Sequence, residues 1–419
     1  MSRPKILLIC YYFPPLGGAG VTRPLALFKH LPEYGYDCHV LTVKPVAYRL
    51  FEPELLDGLS TEHIYRAGSL DPQRLMYLLG MRRVASKTIS RGRAVSDRFF
   101  PDSKVAWVRR AVRLGRDLLN NRDYHAVIST SPPVSCHLVA RQLAGDYNIP
   151  WIADFRDYWT AYQIEIVYPD SRRIERGKKL LAAIGRETAH ITAINRTIGQ
   201  YVGADEIVYN SFDTDLAQRW RLPDNREQYV IGILGTLNEI YPVEPLLKVL
   251  ATLRDKNPEV FARVRLLQVG NYDPAWLLPQ LEKYSLADKC ELKSFQPRAK
   301  TIDLLSQTSL LYVGLPSAKE KGFSTGRIYT MIASGRPILA AVPPGGEIER
   351  LIDDTGNGFC FFDHNYSDAV DYIARQATLF EKGESSVVLT PDYARKYSST
   401  GLAERFGEIM DTLKPPARS

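Results

Sequence analysis

Two α/β domains, each a doubly wound parallel sheet, are the fold class this sequence predicts, and three observations predict it. Apolar strand-like runs alternate with longer helix-period segments along most of the chain, the signature of βα units around parallel sheets. The pattern starts over near residue 229, where Tyr229-Val-Ile-Gly-Ile-Leu-Gly235 again reads as a buried strand ending in glycine. A chain of 419 residues with 45% hydrophobic content also exceeds what one core usually supports, so two domains of about 200 residues each are expected.

Taken in order, the first half reads as strands at 5–11, 37–43, 62–65, 126–130, 151–154 and 190–194, with helices between them. The second half reads as strands at 229–235, 264–270, 291–295, 310–313, 338–342 and 359–362, with an amphipathic helix at 243–253. Two Rossmann-like halves in series follow. The polar, proline-bearing stretch 215–228 is the expected linker. The domains expected are therefore 1–214 and 215–398, with a final helix within 399–419, near 400–413, packing back on the N-terminal half.

Composition narrows the class. Five scattered cysteines, an odd total with no close pair, argue against a disulfide framework or a zinc knuckle and fit a reducing cytosol. The first apolar run, Ile6-Leu-Leu-Ile-Cys-Tyr-Tyr-Phe13, is broken at Pro14-Pro15 and is too short for a secretory signal. No stretch approaches the ~20 apolar residues of a spanning helix, so any membrane role is expected to be peripheral. The net charge is +7, and residues 82–117 carry eleven basic residues against three acidic ones, so one segment holds the whole excess. Within it, Val105-Ala-Trp-Val-Arg-Arg-Ala-Val-Arg-Leu-Gly-Arg-Asp-Leu-Leu119 mixes apolar and basic residues at helical spacing. An amphipathic surface meeting anionic lipid, a solvated helix face and a nucleic-acid patch all fit that pattern; the first is the expectation adopted, and nucleic acid is not expected as a partner.

The most informative stretch is Phe323-Ser-Thr-Gly-Arg-Ile-Tyr-Thr-Met-Ile-Ala-Ser-Gly-Arg-Pro337, followed by the apolar run 338–342. Ser324, Thr325 and Gly326 are small residues at a helix start, where backbone N–H groups point outward, and Arg327 adds a permanent cation. Such a place suits a diphosphate. In the first half, Pro14-Pro15-Leu16-Gly17-Gly18-Ala19-Gly20 links strand to helix, and its glycines allow close backbone approach by an anion or a sugar; a plain tight turn has the same appearance. Ser129-Thr-Ser131-Pro-Pro133 and Trp151-Ile-Ala-Asp-Phe-Arg-Asp-Tyr-Trp159 fall at strand C-termini, which line the crevice of open α/β sheets. That placement brings Ser131, Asp154, Arg156 and Asp157 toward substrate, the alternative being a salt-bridged turn. An NAD site is disfavoured because Lys44 stands where the ribose-binding acid belongs. Seven histidines occur without His-x-x-x-His spacing, no serine sits in a Gly-x-Ser-x-Gly elbow, and Asp213-Thr-Asp215 is discounted as a chance triplet, so no metal site is expected.

The 323–348 segment resembles the donor-binding segment of family 4 glycosyltransferases of the GT-B fold, of the type small-x-Gly-Lys/Arg-x-aromatic-Glu-x-x-Ala-x-Gly-x-Pro, through Gly326, Arg327, Tyr329, Ala333, Gly335 and Pro337. The Ser-Pro-Pro and Asp-Phe-Arg-Asp-x-Trp stretches resemble a bacterial cell-surface subset of that family. Asn210-Ser-Phe-Asp213 resembles its Asn-Gly-hydrophobic-Asp turn at the domain crossover. The resemblance implies two Rossmann-like domains facing an interdomain cleft and retaining transfer of a sugar from a nucleotide-sugar co-substrate, without metal or other cofactor. It implies donor contacts at Gly235, Thr236, Ser324, Thr325, Gly326, Tyr329 and Thr330. It places Asp154, Arg156 and Arg327 in the catalytic centre, and acceptor or phosphate contacts at Gly17, Gly18, Gly20 and Ser131. A polyprenyl-diphosphate-linked acceptor at the inner face of the cytoplasmic membrane fits the cell-surface subset. Two departures stand out. No arginine follows Gly235, and Lys321 or Gly322 and Thr330 occupy the places of two glutamates that serve donor sugar and ribose in the family. A sugar-nucleotide 2-epimerase and a non-catalytic sugar-nucleotide-binding subunit remain the alternatives.

Overall fold

The structure, a computed structural model, describes residues 3–46, 50–71, 74, 79, 99–120, 123–157, 171–238, 241–315, 322–362, 365–384 and 390–414. The chain forms two compact units, residues 1–210 with 399–419, and residues 211–398.

In the first unit the described strands are β1 (Lys5–Ile9), β2 (Asp37–Val43), β3 (Ile64–Ala67), β4 (Tyr124–Ser131), β5 (Trp151–Phe155), β6 (His190–Ala193) and β7 (Glu206–Ile207). They lie side by side in the order β3-β2-β1-β4-β5-β6-β7, every pairing parallel. The helices α1 (Ala19–His30), α2 (Val105–Asn120), α3 (Ser135–Tyr147), α4 (Ser171–Glu187) and α5 (Arg196–Val202) connect them. Alternation along β1 divides the core by face. Leu7 and Ile9 join a cluster with Trp107, Leu143 and Trp151, while Ile6 and Leu8 join another with Leu27, Phe28 and Val40.

In the second unit β8 (Tyr229–Leu234), β9 (Val264–Val269), β10 (Cys290–Lys293), β11 (Leu310–Gly314), β12 (Ile338–Ala341) and β13 (Gly358–Phe361) form a parallel sheet ordered β10-β9-β8-β11-β12-β13. Its helices are α6 (Thr214–Ala217), α7 (Glu244–Lys256), α8 (Pro258–Arg263), α9 (Pro274–Lys283), α10 (Arg298–Leu305), α11 (Arg327–Ala333), α12 (Glu347–Thr355), α13 (Tyr366–Lys382) and α14 (Pro391–Tyr397). Both sheets thus carry the 3-2-1-4-5-6 strand order, whose direction reverses beside β1 and beside β8. Ligands in such sheets bind outside the strand C-termini at that reversal.

The final helix α15 (Ser399–Thr412) returns to the first unit and lies on α1. Leu402, Phe406, Ile409 and Met410 are buried with Ile6 and Leu8, and burial of such side chains contributes about 1.5–3 kcal/mol each. The Tyr36 hydroxyl donates to Asp411 (2.5 Å), fixing the helix against the turn after α1. The stretch expected as a linker is strapped to the second unit. The Arg336 guanidinium is buried, donates to the carbonyls of Thr308, Ser306 and Arg221, and lies over the Trp220 ring. Asp213 caps α6 by accepting from the Asp215 and Leu216 amides, so the Asp-x-Asp triplet is a helix start.

Candidate functional site

At the end of β5, Asp154 is fully buried. A buried carboxylate requires partners, and four donors meet it. Arg23 on α1 binds it through Nε (2.9 Å) and a terminal nitrogen (2.8 Å), and the hydroxyls of Thr130 and Thr192 donate at 2.6 and 2.8 Å. Burial pushes the carboxyl pKa up, but the Arg23 charge and these hydrogen bonds outweigh it and hold the group below its ordinary value. Arg23 is 2% exposed and also donates to the Tyr209 carbonyl (2.8 Å), with Phe406 against its other side. The expectation that Asp154 faces substrate is corrected: its lone pairs are occupied inside the fold, and it ties α1 to β4, β5 and β6. Sequence reasoning missed Arg23. The available signal was an aspartate inside a strand otherwise made of Trp151, Ile152, Ala153 and Phe155, which demands a cation from elsewhere.

Arg156, just past β5, is half-buried and acts as a clamp. Its side chain donates to the carbonyls of Ser131 (3.0 Å), Gly20 (2.8 Å) and Pro132 (3.1 Å). Ser131 and Gly20, expected at the acceptor, are thus held together through their backbones at the β1–β4 reversal, and Arg156 is their positioning residue.

The glycine loop holds an anion already, and it is internal. Gly18 has φ 94°, ψ 179°, a conformation L side chains rarely adopt, and its amide donates to Glu52 Oε1 (2.8 Å). A Cβ on Gly17 would stand 2.3 Å from the same oxygen. Glu52 is 4% exposed. Gly17 and Gly18 therefore admit a carboxylate of this chain, which corrects their expected role as a cradle for an external phosphate. Nearby, the Tyr11 hydroxyl (2.6 Å) and Lys104 Nζ (3.0 Å) bind Asp71, a buried set not foreseen from the sequence.

The second reversal is different. β8 ends at Leu234, and Gly235 turns with φ 96°. A side chain there would meet Arg327, since a Cβ would lie 3.0 Å from its Cζ and from one terminal nitrogen. The Arg327 guanidinium lies on this turn, donating to the Leu234 carbonyl (2.7 Å) and to Thr325 Oγ1 (3.1 Å), with Tyr241 beneath it at 4.8 Å. Among the described residues no carboxylate pairs with it. Burial lowers its pKa, with Tyr241 opposing, but a guanidinium remains charged at neutral pH. Of the other expected donor contacts, Thr236, Thr325 and Thr330 are half-buried, Ser324 is buried and Gly326 is exposed.

Two expectations for this segment change, and a third falls outside the described residues. The helix α11 spans only seven residues, and the Thr325 hydroxyl accepts from the Arg327 amide (3.3 Å), so the helix start is answered within the chain and the guanidinium is the charged group it presents. Tyr329 is fully buried with its ring centroid 5.9 Å from that of Tyr397, so its side chain belongs to the core and not to a donor pocket. Residues 316–321, including Glu320 and Lys321, lie outside the described residues.

On α2, Trp107, Ala111, Val112, Leu118 and Leu119 are buried, while Arg109, Arg110 and Arg113 are exposed. The apolar face is therefore core, which leaves lipid only an electrostatic contact. Arg116 pairs with Asp146 (2.7 Å) and Lys104 is buried on Asp71, so neither is free for that surface. Arg82, Arg83, Lys87, Arg91, Arg93 and Arg98 lie outside the described residues. Among the described residues no helix is long and apolar enough to cross a membrane.

No protein-family model matches the chain. A Pseudomonas aeruginosa protein, described as "Probable glycosyltransferase WbjE", is 24% identical over 184 residues, 38% of this chain and 46% of that protein. The match thus spans a little under half the length of that relative. Among solved structures, a sucrose-phosphate synthase from Thermosynechococcus elongatus superposes with a TM-score of 0.64 at 13% identity, covering 98% of both chains. The lipopolysaccharide outer core galactosyltransferase WaaB superposes with a TM-score of 0.58 at 14% identity, covering 98% of this chain and 100% of the other. The Staphylococcus aureus MnaA structure with UDP gives 0.50 at 11% identity, over 99% and 100%. The chain has the GT-B fold, two Rossmann-like domains; the sequence similarity is to a probable glycosyltransferase, and two of the similar structures, WaaB and WaaG, are named as glycosyltransferases of lipopolysaccharide synthesis.

Proposed function

We propose that this chain is a retaining glycosyltransferase. It takes a hexose or related sugar from a nucleotide-sugar donor held on the second unit and transfers it to a polyprenyl-diphosphate-linked acceptor held on the first, in surface polysaccharide synthesis. The observation that carries this reading is Arg327, a half-buried cation on the Gly235 turn with no carboxylate partner among the described residues. A desolvated cation at a strand reversal favours an anionic ligand, and a diphosphate supplies two phosphates for a planar donor fork. When the sugar's anomeric carbon separates from the diphosphate oxygen, the bonding pair leaves with the diphosphate and its negative charge grows. The acceptor hydroxyl oxygen bonds to that carbon and passes its proton to the departing diphosphate oxygen. A fixed guanidinium stabilises the growing charge more than the bound donor, which is the condition for catalysis. The reading assigns this charge stabilisation to Arg327 rather than to a metal ion.

Support for the substrate class comes from likeness: the WbjE relative is described as a glycosyltransferase, WaaB as a galactosyltransferase of the lipopolysaccharide outer core, and the MnaA structure holds UDP. The exposed Arg109, Arg110 and Arg113 suit a peripheral position at the inner face of the cytoplasmic membrane, where a lipid-linked acceptor resides. A thermal-shift screen of UDP-, GDP- and dTDP-sugars tests the reading directly. A ligand at 100 times its Kd stabilises by about 2.7 kcal/mol, so at least one nucleotide sugar should raise the melting temperature. No shift with any of them sinks the donor assignment, and turnover of a donor without acceptor points to an epimerase.

A further inference from the structure

We propose that Asp37, His39 and His63 form a binding site for one Zn²⁺ or similar divalent transition-metal ion at the N-terminal end of the first sheet. The three side chains come together through strand geometry. Asp37 and His39 are two apart on β2 and so project to one face. β3 pairs with β2 in a register that sets Ile64 opposite Val40, which brings His63 beside His39. Their donor atoms, one per residue, all lie within 4.8 Å of one another. His39 Nε2 is 3.0 Å from Asp37 Oδ2 and 2.8 Å from His63 Nδ1.

The donor set is right for the ion. Two imidazole nitrogens and a carboxylate oxygen match the mixed N/O ligation of zinc, at about 2.0–2.2 Å, with a fourth position open to water. Donors around a tetrahedral ion at that range stand about 3.3 Å apart, so the two pairs that share His39 need to open by about half an ångström or less, while Asp37 and His63 lie within 4.8 Å of each other and have side-chain freedom to adjust. The partner shell is also built. His39 is buried, and its other ring nitrogen lies 2.7 Å from the Tyr124 hydroxyl, the kind of hydrogen bond that fixes ring orientation in metal-binding histidines. Before an ion binds, the 3.0 Å contact suits Nε2–H donating to Asp37 Oδ2 with the Tyr124 hydroxyl donating to Nδ1; an ion bound at Nε2 would displace that proton, and Nδ1–H would then donate to Tyr124. Asp37 and His63 are half-buried, which gives an ion access from solvent.

The site stands at the strand ends opposite the C-terminal reversal that carries Arg156, so it is independent of the transfer reaction proposed above. Its physical effect is to staple β3, the outermost strand of its sheet, to β2. A metal that binds only the folded chain stabilises it in proportion to ln(1 + [metal]/Kd).

The test uses the untagged full chain, stripped with a chelator and desalted, then titrated with ZnCl₂ and, separately, CoCl₂. One equivalent is expected to bind, with a rise in melting temperature and, for Co²⁺, visible absorption bands of a low-coordinate site. His63→Ala and Asp37→Asn, at the solvent edge, should keep the native circular dichroism and weaken Kd by at least about tenfold. Should one of them fail to fold, the other still decides. No saturable uptake of either ion, or uptake by both variants with unchanged affinity, overturns the proposal. Nucleotide-sugar binding by the stripped chain is the separate readout that keeps this outcome distinct from the donor assignment.

Discussion

At the C-terminal ends of the first sheet three charged groups have internal answers. Asp154 holds Arg23 and two threonine hydroxyls, Glu52 lies on the Gly18 amide, and Arg156 donates to three carbonyls. At the same ends of the second sheet, Arg327 has one carbonyl, one hydroxyl and an aromatic face, and no carboxylate among the described residues. Two sheets of one topology have thus used charge in opposite ways. In the first, these charges position backbone and hold elements together; in the second, Arg327 lies on the turn without a carboxylate partner among the described residues, the arrangement on which the proposed donor site rests. Charge in a crevice identifies a binding group only after its internal partners have been counted.

The largest effect should come from breaking the balanced side. Asp154→Asn leaves Arg23 buried without its counter-charge, and loss of one partner of such a pair costs about 3–5 kcal/mol. Urea unfolding should show this loss, and Arg23→Met in the Asp154→Leu background should recover much of it, because replacing both charges with packed apolar groups is often nearly neutral. A change of less than 1 kcal/mol in Asp154→Asn would mean that the carboxylate is not structural and would restore it as a candidate for chemistry.

Arg327→Ala should do the reverse. Activity should fall by roughly two to three orders of magnitude in kcat/KM, about 2.7–4 kcal/mol, the scale of losing one oxyanion donor. The melting temperature should hold or rise, since a desolvated cation without a carboxylate partner adds little to stability. Arg327→Lys should recover only part of the activity, because an ammonium lacks the fork. Loss of stability with full activity would make Arg327 another clamp like Arg156.

That contrast also explains what the sequence revealed. Strand alternation and the second buried run at 229 made the two parallel sheets legible, because burial on both faces leaves long apolar runs with glycine stops. Arg327 could be singled out because its setting is local in the chain: small residues, then a cation, then a helix. The partners were not. Arg23 and Asp154 are 131 residues apart, and the Gly18 amide meets a carboxylate 34 residues away, so composition and spacing near either end gave no sign. For the same reason the Arg-rich helix α2 read as an amphipathic surface meeting anionic lipid, although its apolar face is the core of the unit.

A third comparison concerns acid. His137 is buried on α3 and shares the Ser129 hydroxyl (2.7 Å) with the Trp151 indole N–H. Burial pushes its pKa down to about 3, with Asp154 opposing and Arg156 reinforcing the shift. Its folded value is depressed, so the unfolded chain takes up a proton near pH 6.5 that the native state refuses. Stability is therefore complete above pH 6.5 and should fall by about 1.4 kcal/mol per unit as the pH drops below it, toward the folded value. The described residues of the second unit contain no histidine. Hydrogen exchange at pH 6.5 and 4.5, corrected for intrinsic rates, should show protection lost in the first unit first, and His137→Leu should flatten the slope. Equal loss in both units would assign the acid response to carboxylates shared by the whole fold.

The smallest effect is at the surface, where the two ways of using charge meet a third. Arg109, Arg110 and Arg113 are exposed on α2, whereas Arg116 is paired with Asp146 at 2.7 Å. Each unpaired arginine near an anionic bilayer contributes about 1 kcal/mol, and the contribution is screened by salt. Flotation with phosphatidylglycerol vesicles should therefore weaken in steps of about fivefold as Arg109, Arg110 and Arg113 are changed to glutamine, since 1 kcal/mol is about that factor in an equilibrium constant. Arg116→Gln should matter less, because its charge is already answered within the fold. The steps should shrink at high salt, as only an electrostatic contact would, because the apolar side of α2 is occupied by Trp107, Leu118 and Leu119. Binding that survives both high salt and the three substitutions would show that lipid is held elsewhere, and the basic face of α2 would then be a solvated surface.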